Sequence, residues 1–191
     1  MENLFLVCLV PPVSIVEDVE EIRNYISDKF KVYESLKRPA HITLYPPVKI
    51  SSREAEKRFF NALETASFIS PFNQILKNFN AFPEHTFYID VEPNEGIMNL
   101  GKQIRKELIP LKLLDKKDSN KFNPHLTLAF RDLKPPVFKE ILTDFKDRKF
   151  KREFQVSSFA VYKYIDKRWQ PYKELVFKAL TDKPKTPSLF D

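Results

Sequence analysis

Apolar residues recur along this chain with a period near two in some stretches and near 3.6 in others, and the changes between them predict its elements. Leu4 to Val10 is a continuous apolar run stopped by Pro11-Pro12, short enough for a buried strand. Ser14-Ile15-Val16-Glu17 then reads as a capping box, and Ile15, Val19, Ile22, Ile26 and Phe30 recur at helical spacing. A helix from Ser14 to Phe30 follows. After a linker from Lys31 to Pro39, a strand from Ala40 to Tyr45 is expected to end at Pro46-Pro47. A second box, Ser51 to Glu54, opens a helix with Ala55, Phe59, Ala62, Leu63 and Ala66 on one side, and Phe72 to Phe82 reads as an irregular strand.

The second half runs through the same order. Thr86 to Val91 is a strand, and Asn94 begins a helix with Ile97, Leu100, Ile104 and Leu108 on its inner face, which Pro110 ends or kinks. A basic loop, Lys112 to Asn123, leads into a strand around His125, and Phe138, Ile141, Leu142 and Phe145 mark another helix. Phe154 to Ile165 and Tyr172 to Leu180 predict a hairpin across Asp166 to Pro171. A shift of 84 residues lays Phe5 to Val10 on Ile89 to Asn94 and His41 on His125. The repeated order predicts two similar lobes, and if each presents its central strand toward the other, the two histidines face one another across a cleft. Residues 1–181 would form this single bilobal domain and 182–191 a flexible tail.

Composition narrows the chemistry. With 42% hydrophobic residues and 18 phenylalanines in 191 positions, the core should be aromatic. The net charge of +6 suits a phosphate-bearing partner. Two glycines, Gly96 and Gly101, exclude a dinucleotide fingerprint and a Walker loop, which need more glycine at fixed spacing. Cys8, alone in its apolar run, reads as a buried, inert thiol. No apolar run reaches the roughly 18 residues of a membrane span, and the first residues lack the basic start of a signal peptide, so a cytoplasmic protein is expected.

Two stretches carry candidate chemistry: Arg38-Pro-Ala-His41-Ile-Thr43-Leu-Tyr-Pro-Pro47 and Asn123-Pro-His125-Leu-Thr127-Leu-Ala-Phe-Arg131. Regular strand alternation would set His41, Thr43 and Tyr45 on one face against Ile42 and Leu44, and His125, Thr127, Ala129 and Arg131 against Leu126, Leu128 and Phe130. Histidine titrates near pH 6.5, so of two imidazoles flanking a phosphorus, one can take a proton and the other give one. Threonine hydroxyls on the same face would donate to the nonbridging oxygens. Three histidines in all, with no His-Glu-x-x-His and no Asp-x-Asp, give no expected metal site, and no Gly-x-Ser-x-Gly elbow is present. Tyr45 and Arg131 are candidate substrate contacts, with Trp169, at a hairpin tip, a further stacking candidate. Lys37, Arg38, Lys112, Lys116, Lys117 and Lys121 could form a phosphate-attracting rim, and His85 reads as a solvated or capping residue.

Paired His-x-Thr motifs at this separation, each on a strand in a similar half, resemble the 2H phosphoesterase superfamily, above all its bacterial members named as 2'-5' RNA ligases or RNA 2',3'-cyclic phosphodiesterases. The resemblance spans Leu4 to about Leu180 and implies a bilobal α+β fold, two pseudo-symmetric lobes each with an antiparallel sheet and outer helices, flanking a central cleft. It implies metal-independent, cofactor-free opening of a 2',3'-cyclic phosphate to a 2'-phosphate, with RNA or a nucleotide as partner. His41 and His125 would be general base and acid, in an order the likeness of the motifs leaves open, and Thr43 and Thr127 the phosphate donors. The chain departs from the family in Tyr45-Pro46-Pro47-Val48, where relatives have Phe and Gly, and in Arg131, one residue later than a common family arginine. The superfamily also handles ADP-ribose cyclic phosphate and 2'-5' oligoadenylate, and a noncatalytic RNA-binding module that keeps the cleft is an open alternative. The tail Thr186 to Phe190 loosely resembles Leu-Phe peptides that dock on bacterial sliding clamps.

Overall fold

A computed structural model describes residues 2–83, 85–114 and 122–179. Among these the order is β1 (Asn3–Leu9), α1 (Val13–Phe30), β2 (Ile42–Ile50), α2 (Arg53–Ala66), β3 (Phe72–Phe82), then β4 (Thr86–Val91), α3 (Glu95–Leu108), β5 (His125–Phe130), α4 (Pro135–Phe145), β6 (Lys151–Val156), and finally β7 (Ser158–Ile165) and β8 (Arg168–Val176). Short 3₁₀ turns lie at Glu34–Lys37 and Ile109–Leu111. Lys116, Lys117, Lys121, Leu180 and the tail 182–191 with its clamp-like peptide lie outside the described residues.

The eight strands form one antiparallel sheet in the order β6-β3-β4-β5-β2-β1-β7-β8, in place of the two separate sheets expected. Its four-stranded halves meet where β2 pairs with β5 at Ile42 opposite Leu126. Pairing there covers two strand edges that separate sheets would leave open. Ser157 alone separates β6, at one outer edge, from β7, next to the other, so the sheet curls.

The apolar stripes of α1, α2, α3 and α4 meet one face of this sheet. Ile15, Val19 and Ile26 of α1, Phe59 and Leu63 of α2, Ile97 and Ile104 of α3 and Phe138 and Ile141 of α4 join Phe5, Val7, Ile42 and Leu126 in one core. That core is aromatic, as the phenylalanine content predicts: Phe79 stacks on Phe87 at 5.8 Å between ring centres and meets Phe145 edge-on at 4.9 Å. A smaller cluster, Leu6, Cys8 and Tyr162, lies apart from it. Cys8 is fully buried and burial pushes its thiol pKa well up, which leaves it inert. No helix among the described residues is long and apolar enough to cross a membrane.

Several local expectations are corrected. Pro12, with φ of −53°, stands at the N-cap of α1, and its carbonyl accepts from the Ile15 and Val16 N–H groups at 2.9 and 3.0 Å, so the Ser14 box does not form. Ser52 rather than Ser51 caps α2, accepting from the Ala55 N–H at 3.1 Å, while Asn94 caps α3 as expected. The strand after His41 continues through Pro46-Pro47 to Ile50, because a register shift there, Phe5 opposite Val48 but Val7 opposite Tyr45, spares the prolines a regular ladder position. Ser157 breaks the long strand expected from Phe154 to Ile165. The last hairpin turns on Asp166-Lys167 alone, both with positive φ (49° and 62°), a tight reversal that matches strand twist. Trp169 therefore lies within β8, paired with Tyr164, and not at the tip.

Candidate active site

Both motif strands carry the same irregularity. Opposite β1, Thr43 pairs with Cys8 and Tyr45 with Val7, which makes Leu44 an extra residue. Opposite β4, Thr127 pairs with Tyr88 and Ala129 with Phe87, which makes Leu128 the extra one. A bulge moves every later side chain to the other face. Leu44 and Tyr45 consequently both enter the core, as do Leu128 and Ala129, all with no solvent exposure. Tyr45 is thus not on the His41 face: its ring is buried, its hydroxyl has no hydrogen-bond partner, and burial raises its pKa. Ala129 is likewise removed from the His125 face, and Phe130, opposite Thr86, takes the next place on it.

The pairing of Ile42 with Leu126 fixes the rest. Both residues point into the core, so their flanking neighbours, His41 and Thr43 on one strand and His125 and Thr127 on the other, point to the opposite face. Continuing the antiparallel register sets His41 opposite Thr127 and Thr43 opposite His125. The imidazoles then occupy one diagonal of a four-residue square and the threonines the other, with a diagonal of about 7–8 Å. The two histidines sit side by side in one sheet rather than facing each other across separate lobes.

Each imidazole is held from behind. Nδ1 of His41 lies 2.7 Å from the Pro39 carbonyl and Nδ1 of His125 lies 2.8 Å from that of Asn123. A carbonyl only accepts, so Nδ1 carries the proton and Nε2 of a neutral ring presents its lone pair. His41 is nearly buried, and that burial, reinforced by the charges of Arg23, Arg38 and His125, lowers its pKa to about 4. His125 is also lowered by burial, but Asp90, paired opposite it in β4, favours its charged form. The rings of Phe82 and Tyr88 flank His125 at 4.9 and 5.1 Å.

Two buried arginines, which the strand motifs gave no reason to seek, brace the bulges. Arg23 of α1 donates to the Thr127 carbonyl from Nε and Nη2 (3.1 and 2.6 Å) and to the Arg38 carbonyl from Nη1 (3.0 Å). Arg105 of α3 donates from Nη1 to the Leu44 carbonyl at 2.8 Å, with Phe122 against its guanidinium at 4.5 Å. The helix of each half thus holds the motif strand of the other. The signal for both was present: each charge falls within an apolar stripe, Arg23 between Val19 and Ile26, Arg105 between Gly101 and Leu108.

Of the expected rim, Lys37 is engaged by Glu34. Arg38 and Arg131 both approach the Phe130 ring, at 5.1 and 5.4 Å from its centre. Lys112 follows the 3₁₀ turn after α3 with φ of 52°. His85 is exposed, with Nδ1 2.9 Å from the Thr86 hydroxyl, in keeping with a solvated residue. Among the described residues no group of three or more His, Cys, Asp or Glu could hold a metal ion.

Comparison with known proteins places the chain. A family model described as the 2'-5' RNA ligase superfamily matches residues 11–168. A Bacillus pumilus (strain SAFR-032) protein named "Putative phosphoesterase" is 28% identical over 141 residues, covering 72% of this chain and 79% of that one. The crystal structure of E. coli LigT complexed with 3'-AMP superposes with a TM-score of 0.64 at 17% identity over 92% of this chain and 98% of that one. Kluyveromyces marxianus Usb1 gives 0.51 at 12% identity, covering 92% and 97%. At these identities the two structures speak to the fold.

Proposed function

The chain belongs to the 2'-5' RNA ligase superfamily, and from that premise we propose that it is a metal-independent phosphodiesterase opening 2',3'-cyclic phosphates, on RNA ends or small nucleotides, to 2'-phosphates. Joining a 2'-5' linkage is the related transfer with a ribose hydroxyl in place of water. The observation that carries the reading is the Ile42–Leu126 pairing, which puts two histidines and two threonines around one spot on the sheet.

In this reading Nε2 of His41 takes a proton from water as the water oxygen attacks phosphorus. The P–O3' bond breaks, and His125 gives its proton to the departing 3'-oxygen. His41 is assigned as base because burial holds its pKa at about 4, and His125 as acid because it is the less buried ring and the Asn123 carbonyl and Asp90 oppose the lowering that burial causes. Hydroxyls of Thr43 and Thr127 donate to the nonbridging oxygens, and loss of one well-placed donor costs about 3 kcal/mol of barrier lowering. Arg131 contributes positive charge to substrate binding. That LigT has been crystallised with 3'-AMP supports a nucleotide ligand.

The test is incubation with 2',3'-cyclic mononucleotides, cyclic-ended oligoribonucleotides and ADP-ribose cyclic phosphate, in EDTA, with the product phosphate located by phosphorus NMR. Turnover to a 2'-phosphate is expected, lost in His41→Ala and in His125→Ala while both variants stay folded. Binding of RNA with no turnover of any of these substrates would leave only the noncatalytic alternative.

A further inference from the structure

The geometry points to a second anion subsite beside the histidine–threonine square: Arg38 and Arg131, converging on Phe130, take a second phosphate of the substrate. The preferred substrate is then a nucleotide or strand end that carries another phosphate next to the reacting one, not a lone cyclic nucleoside phosphate. This rests on the phosphodiesterase reading and narrows it.

The placement follows from the bulge at Leu128. Phe130 is the next residue after Thr127 to reach the site face of β5, three residues further on, or at most about 10 Å along the strand. Arg131 does not continue the strand: its φ of 65° is left-handed, a conformation that a long side chain rarely adopts. Hydrogen bonds hold the turn on both sides. The Asp132 N–H donates to the Phe130 carbonyl at 2.9 Å, and the Asp132 carboxylate accepts from the Tyr33 and Glu34 N–H groups at 2.7 and 3.1 Å. The backbone is thereby turned so that the Arg131 guanidinium lies over Phe130. From β2's side, Arg38 reaches the same ring, and its own carbonyl is fixed by Arg23. Unusual backbone held in place from several directions is characteristic of binding sites.

Charge makes the pair a receptor for an anion. Two like charges brought to one ring repel, and burial followed by the Arg131 charge lowers the Arg38 pKa. The acidic group facing them is Glu34, and its carboxylate is also shared with Lys37. Two guanidiniums and a lysine against two carboxylates, Glu34 and the backbone-bonded Asp132, still leave net positive charge that a phosphate would neutralise. Phe130 supplies a flat support on which a guanidinium keeps its N–H fork free to donate.

The test separates this subsite from the catalytic reading by using binding as well as turnover. Calorimetry compares a nucleoside 2'-monophosphate with the corresponding 2',5'-bisphosphate. The bisphosphate should bind the native protein at least about tenfold more tightly, an advantage that each of Arg38→Gln and Arg131→Gln reduces about tenfold and that raised salt weakens. His125→Ala should retain the advantage. Arg38→Lys, which keeps charge without the fork, should fall between. The Arg23 bond is made to the Arg38 main chain, so these side-chain changes leave it intact, and thermal melting confirms folding. Equal affinity for the two ligands overturns the subsite even if cyclic phosphates are turned over. An arginine-dependent advantage without any turnover upholds the subsite and overturns the catalytic reading. Equal competition by inorganic phosphate for both ligands would show a general anion site and also count against a specific second phosphate.

Discussion

Replacing Arg23 with methionine tests whether the braced bulges matter, because it keeps length and apolar stem while removing every donor. Arg23 is 2% exposed and donates to the carbonyls of Thr127 and Arg38. Leaving a buried acceptor unpaired costs about 1–3 kcal/mol, so two cost about 2–6 kcal/mol. Against this, the native protein carries the desolvation of a buried guanidinium, which lowers the Arg23 pKa and is relieved in the variant. A net loss of about 2–4 kcal/mol results. In a chain of this length that corresponds to a Tm lower by roughly 4–16 °C by calorimetry. Well below that Tm, turnover should still drop by about a hundredfold, since release of the Thr127 carbonyl lets the hydroxyl and His125 drift from the square. Arg23→Lys keeps the charge but cannot fork across both carbonyls, and should recover part of each loss. A variant that melts within about 2 °C of the native protein and turns over normally would refute the bracing.

Acid titration of stability follows from His41. Its folded pKa of about 4 lies below the 6.5 of an unperturbed imidazole, so its contribution is complete above about pH 6.5 and is lost as pH falls towards 4, on the order of 3 kcal/mol in all. Urea midpoints over that range should show the fall, and His41→Gln should flatten it; an unchanged slope would contradict the assignment. Tyr45→Phe removes a buried hydroxyl that lacks a partner, so the variant should be equal in stability or up to about 1 kcal/mol more stable, with unchanged substrate affinity. A raised KM would return Tyr45 to the substrate site. In Gly101→Ala the new methyl would clash with the Phe122 ring, which itself packs on Arg105. A net loss of about 1–2 kcal/mol is expected in chemical denaturation despite alanine's better helix propensity, and a stabilised variant would show that the ring moves aside freely.

Much of this architecture was readable in local pattern. The helical stripes, the Asn94 cap, the buried Cys8 and the repeated order of elements all follow from spacing, since they depend on neighbours within a turn or two. What strict alternation misread was the face of Tyr45 and Ala129, because a bulge leaves no mark in an apolar run such as Leu44-Tyr45 or Leu128-Ala129. Pro46-Pro47 looked like a stop for the same reason: whether a proline ends a strand depends on the register opposite it, which a partner distant in the chain decides. Likewise, the one pairing that merges the two expected sheets joins residues 42 and 126 and has no local signature.

The exchange of braces between halves bears on how the protein comes to work at all. Arg23 and the Thr127 carbonyl are 104 positions apart, and Arg105 and the Leu44 carbonyl 61. Closing loops of that size is entropically slow, so these links form after the local helices and hairpins. A chain emerging from synthesis therefore has its first histidine early, with Arg23 at hand for the Arg38 carbonyl before it, but nothing to hold the Leu44 carbonyl after it until the third helix arrives. Neither half, made alone, would own every anchor its motif needs; competence begins only when both have been completed and joined.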